Sequence, residues 1–361
     1  VELVRGEARF VGERTVEVRT IAEPRTLRGA VVVINTGLRP TIPAIPGLDA
    51  VPYLTSTSIM ELAIAPEHLV VLGGGYVGVE FAQMVRRFGS RVTVLQRGQQ
   101  LLPREDADVA EQMTQMLRED GIDVVLGASV TEVARSGTHL GVTYRTASPD
   151  GAPDATTTMT GSHLLVATGR TPNTAGLGLT AAGVTRDAHG FIAVDDHLAT
   201  SAEGVYAVGD VNGGPAFTHV SYDDFRILRT NLLRGGDATT TGRLVPYTVF
   251  TDPALGRIGV TEREAVAAGH RVRVARLPMS QVARALETAE GRGSMKAVID
   301  DVSQRILGAA VFGVDGGEIV ALLQIAMMGD LPYTVLRDGI FAHPTLAESM
   351  NNLFMALDGD R

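Results

Sequence analysis

A glycine-rich segment at residues 73–78, Gly-Gly-Gly-Tyr-Val-Gly, has the spacing of a phosphate-binding turn. Gly73 would permit a tight turn, Gly75 would let the backbone approach a pyrophosphate, and Gly78 would let a helix pack closely on a strand. The N–H groups at the start of that helix would then face phosphate. An ordinary glycine turn is the alternative, but an apolar strand pattern precedes the segment and a helical pattern follows it. The segment therefore predicts a dinucleotide-binding site.

The residue that ends the next apolar strand reports on the 2′ position of the adenosine ribose. An acidic residue there would accept a hydrogen bond from the 2′-hydroxyl of NAD and would repel a 2′-phosphate. This position holds Gln96, with Arg97 beside it and Arg104 nearby. The missing repulsion and the added cations favour NADP over NAD. The alternative is that both arginines are solvated surface charges.

His343 and Glu348 lie five residues apart near the end of the chain. A carboxylate can hold a histidine in one tautomer and stabilise its imidazolium, which suits general acid–base catalysis. However, Thr345 and Glu348 also have the spacing of a capping box, and the sequence alone favours that structural role for Glu348. His219 has no such partner pattern and is interpreted as a structural histidine.

Asp210 follows Gly209 at the end of an apolar strand predicted at 205–208. An aspartate at the carboxyl end of a strand can reach a ligand hydroxyl at the switch point of a sheet. On this observation alone, an ordinary turn aspartate is the better interpretation.

The elements that would position these residues run strand–turn–helix–strand–helix from residue 68 to 119, which is the opening of a doubly wound fold. Two apolar strands, at 30–34 and 164–166, end alike in Asn35-Thr36-Gly37 and Ala167-Thr168-Gly169. Their continuous apolar runs predict strands buried on both faces. Their similar ends suggest one domain interrupted by another.

Other segments complete the prediction. Short strands are expected at 1–4, 8–11 and 15–18, and an exposed excursion at 147–161. Beyond residue 246 the pattern changes to a hairpin at 295–312 and helices at 317–328 and 345–357, the last with an apolar stripe.

Composition excludes several classes of function. The net charge of −9 disfavours nucleic acid and anionic membranes as partners. No apolar run approaches a membrane span. Because the sequence contains no cysteine, it has no disulfide and no thiolate metal site, and no metal site is predicted. No leader peptide is visible, so the cytoplasm is the expected compartment.

Six motifs carry a family resemblance that covers the whole chain. They are Asn35-Thr36-Gly37, the glycine-rich turn through Glu80, Ala167-Thr168-Gly169-Arg170, Gly209-Asp210, Thr251-Asp252-Pro253 and His343-Pro344-Thr345-x-x-Glu348. In this order they resemble the pyridine nucleotide-disulfide oxidoreductases, which include dihydrolipoamide dehydrogenase, glutathione reductase and mercuric reductase. The segment from Phe341 is most similar to the reactive-chlorine-resistance flavoproteins, a cupric reductase subgroup.

The resemblance implies an α/β chain with FAD/NAD(P)-binding doubly wound, Rossmann-like domains and an α+β C-terminal dimerisation domain. The expected bounds are 1–65 and 163–244 for the two parts of the FAD domain, 66–162 for the NAD(P) domain and 245–361 for the dimerisation domain. The expected cofactors are FAD and NADP (or NAD). Residues expected to contact them are Thr36, Gly37, Gly73, Gly75, Gly78, Glu80, Gln96, Arg97, Thr168, Gly169, Gly209 and Asp210.

Within this set, the resemblance implies that Asp210 binds the FAD ribityl chain, that Thr168 and Gly169 lie near the flavin, and that Glu80 lies at the nicotinamide–flavin contact. His343, oriented by Glu348, would act as acid and base on a thiol or bound substrate across a homodimer interface.

The implied function is a flavin-dependent NAD(P)H oxidoreductase that passes hydride to FAD and on to a disulfide or metal ion. A soluble transhydrogenase and a non-catalytic dimerising fragment are the alternatives. The sequence departs from the family in having no first FAD-binding βαβ unit and no redox cysteine pair. We therefore expect a chain of this span to bind NADPH but to retain no FAD and show no turnover. The final electron acceptor stays open.

Overall fold

A computed structural model describes residues 1–146 and 154–360. The strands are β1 Glu7–Gly12, β2 Thr15–Arg19, β3 Arg25–Arg28, β4 Val32–Ile34, β5 Leu38–Pro40, β6 His68–Leu72, β7 Arg91–Gln96, β8 Asp123–Leu126, β9 Ala128–Ser136, β10 His139–Thr146, β11 Ala155–Gly161, β12 His163–Val166, β13 Arg170–Pro172, β14 Val205–Ala207, β15 Tyr247–Val249, β16 Ala254–Gly259, β17 Val272–Pro278, β18 Ser294–Asp300 and β19 Ile306–Gly313. The helices are α1 Tyr76–Arg87, α2 Ala107–Glu119, α3 Leu179–Ala182, α4 Thr218–Arg234, α5 Glu262–Ala267, α6 Ala283–Glu287, α7 Gly316–Met328, α8 Tyr333–Asp338 and α9 Ser349–Met355.

The chain forms two compact units. The first comprises Val1–Arg39 and Arg170–Val245, and the second comprises Pro40–Gly169 and Pro246–Arg361. The proposed domain bounds differ from this division, because residues 40–65 and 163–169 fall in the unit that contains the glycine-rich turn.

The first unit contains the antiparallel sheet β1-β2-β3 and the parallel pair β4-β14. Its core joins Phe10, Ile34, Ile192 and Val205. The prediction of a strand at 30–34 buried on both faces is wrong, because Val33 is 46% exposed while Ile34 is buried. Ile34 and Val32 pack in the core of this unit, whereas Val33, on the opposite face, is exposed. Among the described strands, β4 pairs only with β14. Residues 1–4 form no strand.

The second unit contains the parallel sheet β12-β6-β7-β8, with α1 and α2 as its crossovers. The strand at 164–166 was expected in the FAD domain but lies in this sheet. It is β12, which pairs in parallel with β6 from His163 opposite Leu69 to Val166 opposite Leu72. Apolar composition alone could not say which sheet this strand joins. The order of strands and helices from β6 to α2 was predicted correctly.

Two antiparallel sheets complete the second unit. The sheet β11-β10-β9 includes residues 155–161, which were predicted as an exposed excursion. The remainder of that prediction, 147–153, lies outside the described residues. The five-stranded sheet β15-β16-β19-β18-β17 contains the predicted hairpin and packs against α7 and α9. The last helix begins at Ser349 rather than at residue 345, which changes the interpretation of Glu348.

Candidate functional site

The glycine-rich turn joins β6 to α1 and requires glycine at two positions. Gly73 has a φ of 106°, and its N–H donates to the Leu95 oxygen at 2.9 Å. A Cβ on Gly78 would lie 2.0 Å from the Gly73 oxygen, so the helix can pack this closely on the turn only with glycine there. Gly75 differs, because a Cβ there would meet no atom within 4 Å. No side chain caps α1, so its first N–H groups and the open face of Gly75 can receive an anion.

Gln96 is placed at the end of β7, as predicted, but its amide is already bonded within the protein. Its Oε1 accepts a hydrogen bond from the Gly74 N–H at 3.0 Å, and its Nε2 donates to the Gln100 oxygen at 3.1 Å. Arg97 and Arg104 are exposed and make no hydrogen bond or ion pair within residues 1–146 and 154–360. The cationic groups of this loop are therefore free for a ligand, whereas the amide of Gln96 is engaged.

Glu80 lies one turn into α1 and is partly buried. Its carboxylate accepts a hydrogen bond from the Phe250 N–H at 2.7 Å, which ties α1 to the segment after β15. Burial raises the pKa of Glu80, and this effect exceeds the lowering by the Phe250 N–H. The expected nicotinamide–flavin contact of Glu80 stays a prediction.

A buried cluster beside the turn was not predicted. The Glu105 carboxylate is fully buried and accepts hydrogen bonds from the hydroxyls of Tyr247 at 2.5 Å and Tyr76 at 3.3 Å. Arg257 Nε lies 2.9 Å from Glu105 Oε2. Burial and the Glu105 charge raise the pKa of Tyr247, so its hydroxyl stays a donor. No sequence signal joins residues that lie up to 152 positions apart between Glu105 and Arg257.

A second unpredicted cluster surrounds Lys296 on β18. Its ammonium lies 2.8–3.0 Å from carboxylate oxygens of Asp106, Asp108 and Glu262. Asp106 also accepts hydrogen bonds from the N–H groups of Glu262 and Arg263 at the start of α5. Burial alone would raise the pKa of Asp106, but these donors and Lys296 hold it below its usual value. The start of α2 is thereby ionically anchored to the five-stranded sheet.

In the first unit, Asp210 follows β14 as predicted. Its Oδ2 accepts a hydrogen bond from Arg170 Nη1 at 3.0 Å, and its side chain is 19% exposed. The preceding Gly209 N–H donates to the fully buried Asp224, whose other oxygen accepts from Arg243 at 2.7 Å. This network holds Asp210 at the carboxyl end of the parallel pair, where a polar ligand group can reach it.

The two similar strand ends lie in different units. Thr36 Oγ1 donates to the Asn173 oxygen, and Asn173 Nδ2 donates to the Thr36 oxygen, both at 2.9 Å. The Asn173 N–H also donates to the Gly37 oxygen at 3.0 Å. Thr168 Oγ1 instead donates to the Thr41 oxygen at 3.1 Å, and Gly169 accepts from the Thr41 N–H. The cofactor contacts expected of both strand ends stay predictions.

The His343–Glu348 pair has the geometry of an oriented base. His343 Nδ1 donates to the Glu348 carboxylate at 2.8 and 2.9 Å. The His343 side chain is 73% exposed, which leaves Nε2 on the accessible side of the ring. The capping-box interpretation of Glu348 is wrong, because its carboxylate is on His343 and α9 begins one residue later. Thr345 Oγ1 accepts only the Glu348 N–H, at 3.3 Å.

The remaining sequence predictions concern His219, metal sites and membrane-spanning helices. The His219 ring stacks on Phe217 with 5.3 Å between ring centroids. Within the described ranges, no three His, Cys, Asp or Glu residues are arranged to hold a metal ion. Among the same residues, the structure has no helix that combines the length and the apolar character a bilayer crossing needs.

Comparison with known proteins gives the same family over nearly the whole chain. Residues 1–224 match the family described as pyridine nucleotide-disulphide oxidoreductase, and residues 245–354 match its dimerisation domain. The chain is 39% identical over 356 residues to the probable pyridine nucleotide-disulfide oxidoreductase RclA of Escherichia coli (strain K12), covering 98% of this chain and 78% of RclA. It is 36% identical to the mercuric reductase of Bacillus cereus, covering 99% of this chain and 55% of that enzyme.

Solved structures agree with these matches. A Cu(II) complex of the HOCl-induced flavoprotein disulfide reductase RclA from Escherichia coli superposes with a TM-score of 0.89 at 38% identity, covering 97% of this chain and 78% of that one. LpdA from Mycobacterium tuberculosis superposes with a TM-score of 0.85 at 28% identity, covering 98% and 76%.

Proposed function

The chain belongs to the pyridine nucleotide-disulphide oxidoreductase family. On that premise we propose that it acts in a flavin-dependent reductase, and that its glycine-rich turn binds the pyridine dinucleotide that donates the hydride. The family uses FAD and NAD(P)H. The observation that carries the proposal is the open face of Gly75 at the uncapped start of α1. The pyrophosphate would lie against this face, where the backbone N–H groups and the helix dipole favour an anion.

We propose NADPH rather than NADH as the preferred donor. Arg97 and Arg104 lie in the loop that follows β7, and within residues 1–146 and 154–360 neither has an ion-pair partner. A 2′-phosphate would supply that partner, whereas the 2′-hydroxyl of NADH would leave both guanidinium groups in water. No carboxylate at position 96 opposes the phosphate.

Residues of the first unit fit the ribityl end of FAD. Asp210 lies at the end of β14 and can accept a hydrogen bond from a ribityl hydroxyl, and Arg170 holds its carboxylate in place. Bound FAD would take up hydride from the pyridine nucleotide. The one Gly-x-Gly-x-x-Gly turn in the sequence lies in the β6 sheet, so the residues that we assign to FAD are those of the ribityl end.

We propose that His343 is the general acid and base for the electron acceptor. Glu348 binds Nδ1 and so presents Nε2 to solvent or substrate, and a charged carboxylate stabilises the imidazolium form. The acceptor would be a disulfide or a metal ion such as Cu(II) or Hg(II), the acceptors suggested by the names of the relatives. Any thiol in this reaction comes from outside the printed sequence, which has no cysteine.

A homodimer is proposed from the match of residues 245–354 to the dimerisation domain. In agreement, large apolar side chains are exposed in this part of the chain, including Ile325 at 65%, Met328 at 68% and Ile340 at 102%. Light scattering at micromolar concentration is expected to give twice the mass of one chain, and a monomer would refute the proposal. The cytoplasm remains the proposed location.

Titration of the purified chain with NADPH and NADH, followed by nicotinamide fluorescence, tests the donor site. We expect NADPH to bind more tightly, and we expect Arg97→Ala to weaken NADPH by about tenfold while NADH is unchanged, because one charge-assisted contact is lost. Arg135→Ala is the matched control, since Arg135 is an exposed arginine on β9. If the chain binds neither nucleotide, the proposed function is wrong.

A further inference from the structure

A series of hydrogen bonds encircles the glycine-rich turn. The Gly74 N–H donates to Gln96 Oε1 at 3.0 Å, and Gln96 Nε2 donates to the backbone carbonyl oxygen of Gln100 at 3.1 Å. The side-chain Nε2 of Gln100 in turn donates to the backbone carbonyl oxygen of Glu105 at 3.1 Å. The Tyr76 hydroxyl links to the Glu105 carboxylate by donating either to it directly at 3.3 Å or to the Tyr247 hydroxyl at 3.1 Å, which itself donates to Glu105. We call Gly74, Gln96, Gln100, Glu105 and Tyr76 the belt. Its two ends, Gly74 and Tyr76, are the neighbours of Gly75.

Both ends of the belt are held in place, and Gly75 lies between them with open space beside it. Glu105 is fully buried and paired with Arg257, so the Tyr76 end cannot move without disturbing a buried charge. At the other end, the Leu102 N–H donates to the Gly74 oxygen at 2.8 Å. Between these two held residues, Gly75 faces space that is free for 4 Å around a Cβ position. The belt therefore determines the position of the surface that would meet the pyrophosphate.

We propose that Gln96 is a positioning residue of this belt, and that selection at the ribose 2′ position belongs to Arg97 and Arg104 alone. The inference rests on the proposed dinucleotide site. The residue that ends the second strand is expected to read the ribose directly, but Gln96 uses both ends of its amide inside the protein. Its identity matters because it must accept one hydrogen bond and donate another.

The chemistry of position 96 separates a positioning role from a ribose-reading role. Glutamate could still accept from the Gly74 N–H, but its second oxygen would face the Gln100 oxygen, and two acceptors repel each other. Methionine would fill a similar volume without either hydrogen bond. Both substitutions break the belt. Only glutamate adds a charge, which would discriminate against a 2′-phosphate if this side chain faced the ribose rather than the belt.

The test compares dissociation constants for NADPH and NADH in Gln96→Glu and Gln96→Met. We expect each variant to bind both nucleotides about tenfold more weakly, with the NADPH-to-NADH ratio changed by less than about threefold. Gln99→Met is the matched control, because Gln99 is an exposed neighbour with no hydrogen bond among the described residues. It should leave both constants unchanged.

A fragment without a pyrophosphate distinguishes positioning from general destabilisation. Adenosine 2′-monophosphate, measured by competition, should bind equally well to wild type and to Gln96→Met, because it does not use the open face of Gly75. General loss of folded structure would weaken it together with NADPH. If Gln96→Glu does not fold, Gln100→Ala provides a second way to interrupt the belt. Alanine keeps the backbone carbonyl at position 100 that accepts from Gln96, but it removes the side-chain donor to Glu105.

Two results would overturn the inference. The first is a selective effect, in which Gln96→Glu weakens NADPH but strengthens or spares NADH while Gln96→Met behaves as wild type. The second is an equal loss of adenosine 2′-monophosphate in Gln96→Met. Failure of the wild type to bind either dinucleotide would instead reject the proposed function, and the inference with it.

Discussion

Alanine substitutions at Gly75 and Gly78 should separate the two roles of the glycine-rich turn, one in binding and one in folding. Gly75 has a φ of −79° and a ψ of −177°, a backbone conformation that alanine adopts freely, and its Cβ would meet no atom. Gly75→Ala should therefore reduce the free energy of unfolding by less than about 1 kcal/mol, the range for loss of glycine at a helix N-cap. The same Cβ would fill the space proposed for the pyrophosphate.

The two substitutions should differ in size as well as in kind. A Cβ on Gly78 would lie about 1 Å closer to the Gly73 oxygen than real Cβ atoms come, and the obstacle is backbone, so Gly78→Ala should lower the free energy of unfolding by about 1–3 kcal/mol or more. For Gly75→Ala, displacing the pyrophosphate from N–H donors should remove about 1.5–3 kcal/mol of binding, or about 10- to 150-fold in the dissociation constant for NADPH.

Urea denaturation without ligand and a fluorescence titration with NADPH measure the two effects independently. Gly12→Ala is the control, because a Cβ there would make only ordinary contact at 3.9 Å. The reasoning is refuted if Gly75→Ala binds NADPH as tightly as wild type, since the open face would then not be where the pyrophosphate lies. It also fails if Gly75→Ala is destabilised as much as Gly78→Ala.

Three further predictions follow from the other clusters. In protein that carries FAD and its acceptor thiols, His343→Ala should slow acceptor reduction by about 100-fold in stopped-flow measurements while reduction of bound flavin is unchanged, and Glu348→Gln should also slow it with no change in melting temperature, because its carboxylate is not a helix cap. Lys296→Met should lower the free energy of unfolding by about 1.5–3 kcal/mol at pH 7, measured in urea, because the buried Asp106 carboxylate loses its charged partner while Asp108 and Glu262 keep Arg276; a loss below about 0.5 kcal/mol would contradict this. Because the folded pKa of Glu80 lies above its usual 4.5, stability should fall as pH rises through the interval between these two values; Glu80→Gln should remove that slope, and an unchanged pH profile would show that another group is responsible.

The site residues that the sequence located were those with a local signal. Glycine spacing, a preceding apolar strand and a following helical period lie within a few residues of one another, so the turn at 73–78 and its elements could be predicted. His343 and Glu348 were also found by spacing, but the same spacing fitted a capping box, and the sequence alone favoured that role for Glu348. The start of α9 decided between them, and a helix boundary is what local patterns predict least precisely.

The sequence by itself determined the family, the cofactors that the family uses and the positions of the motifs, because each of these depends on residues close together in the chain. Tertiary structure alone decided which sheet takes the strand at 163–166, since an apolar run carries no information about its neighbour. It also decided that Gln96 bonds within the belt and that Glu105 is buried against Arg257. These are contacts between distant side chains, whose hydrogen bonds and charges depend on burial that no local pattern encodes.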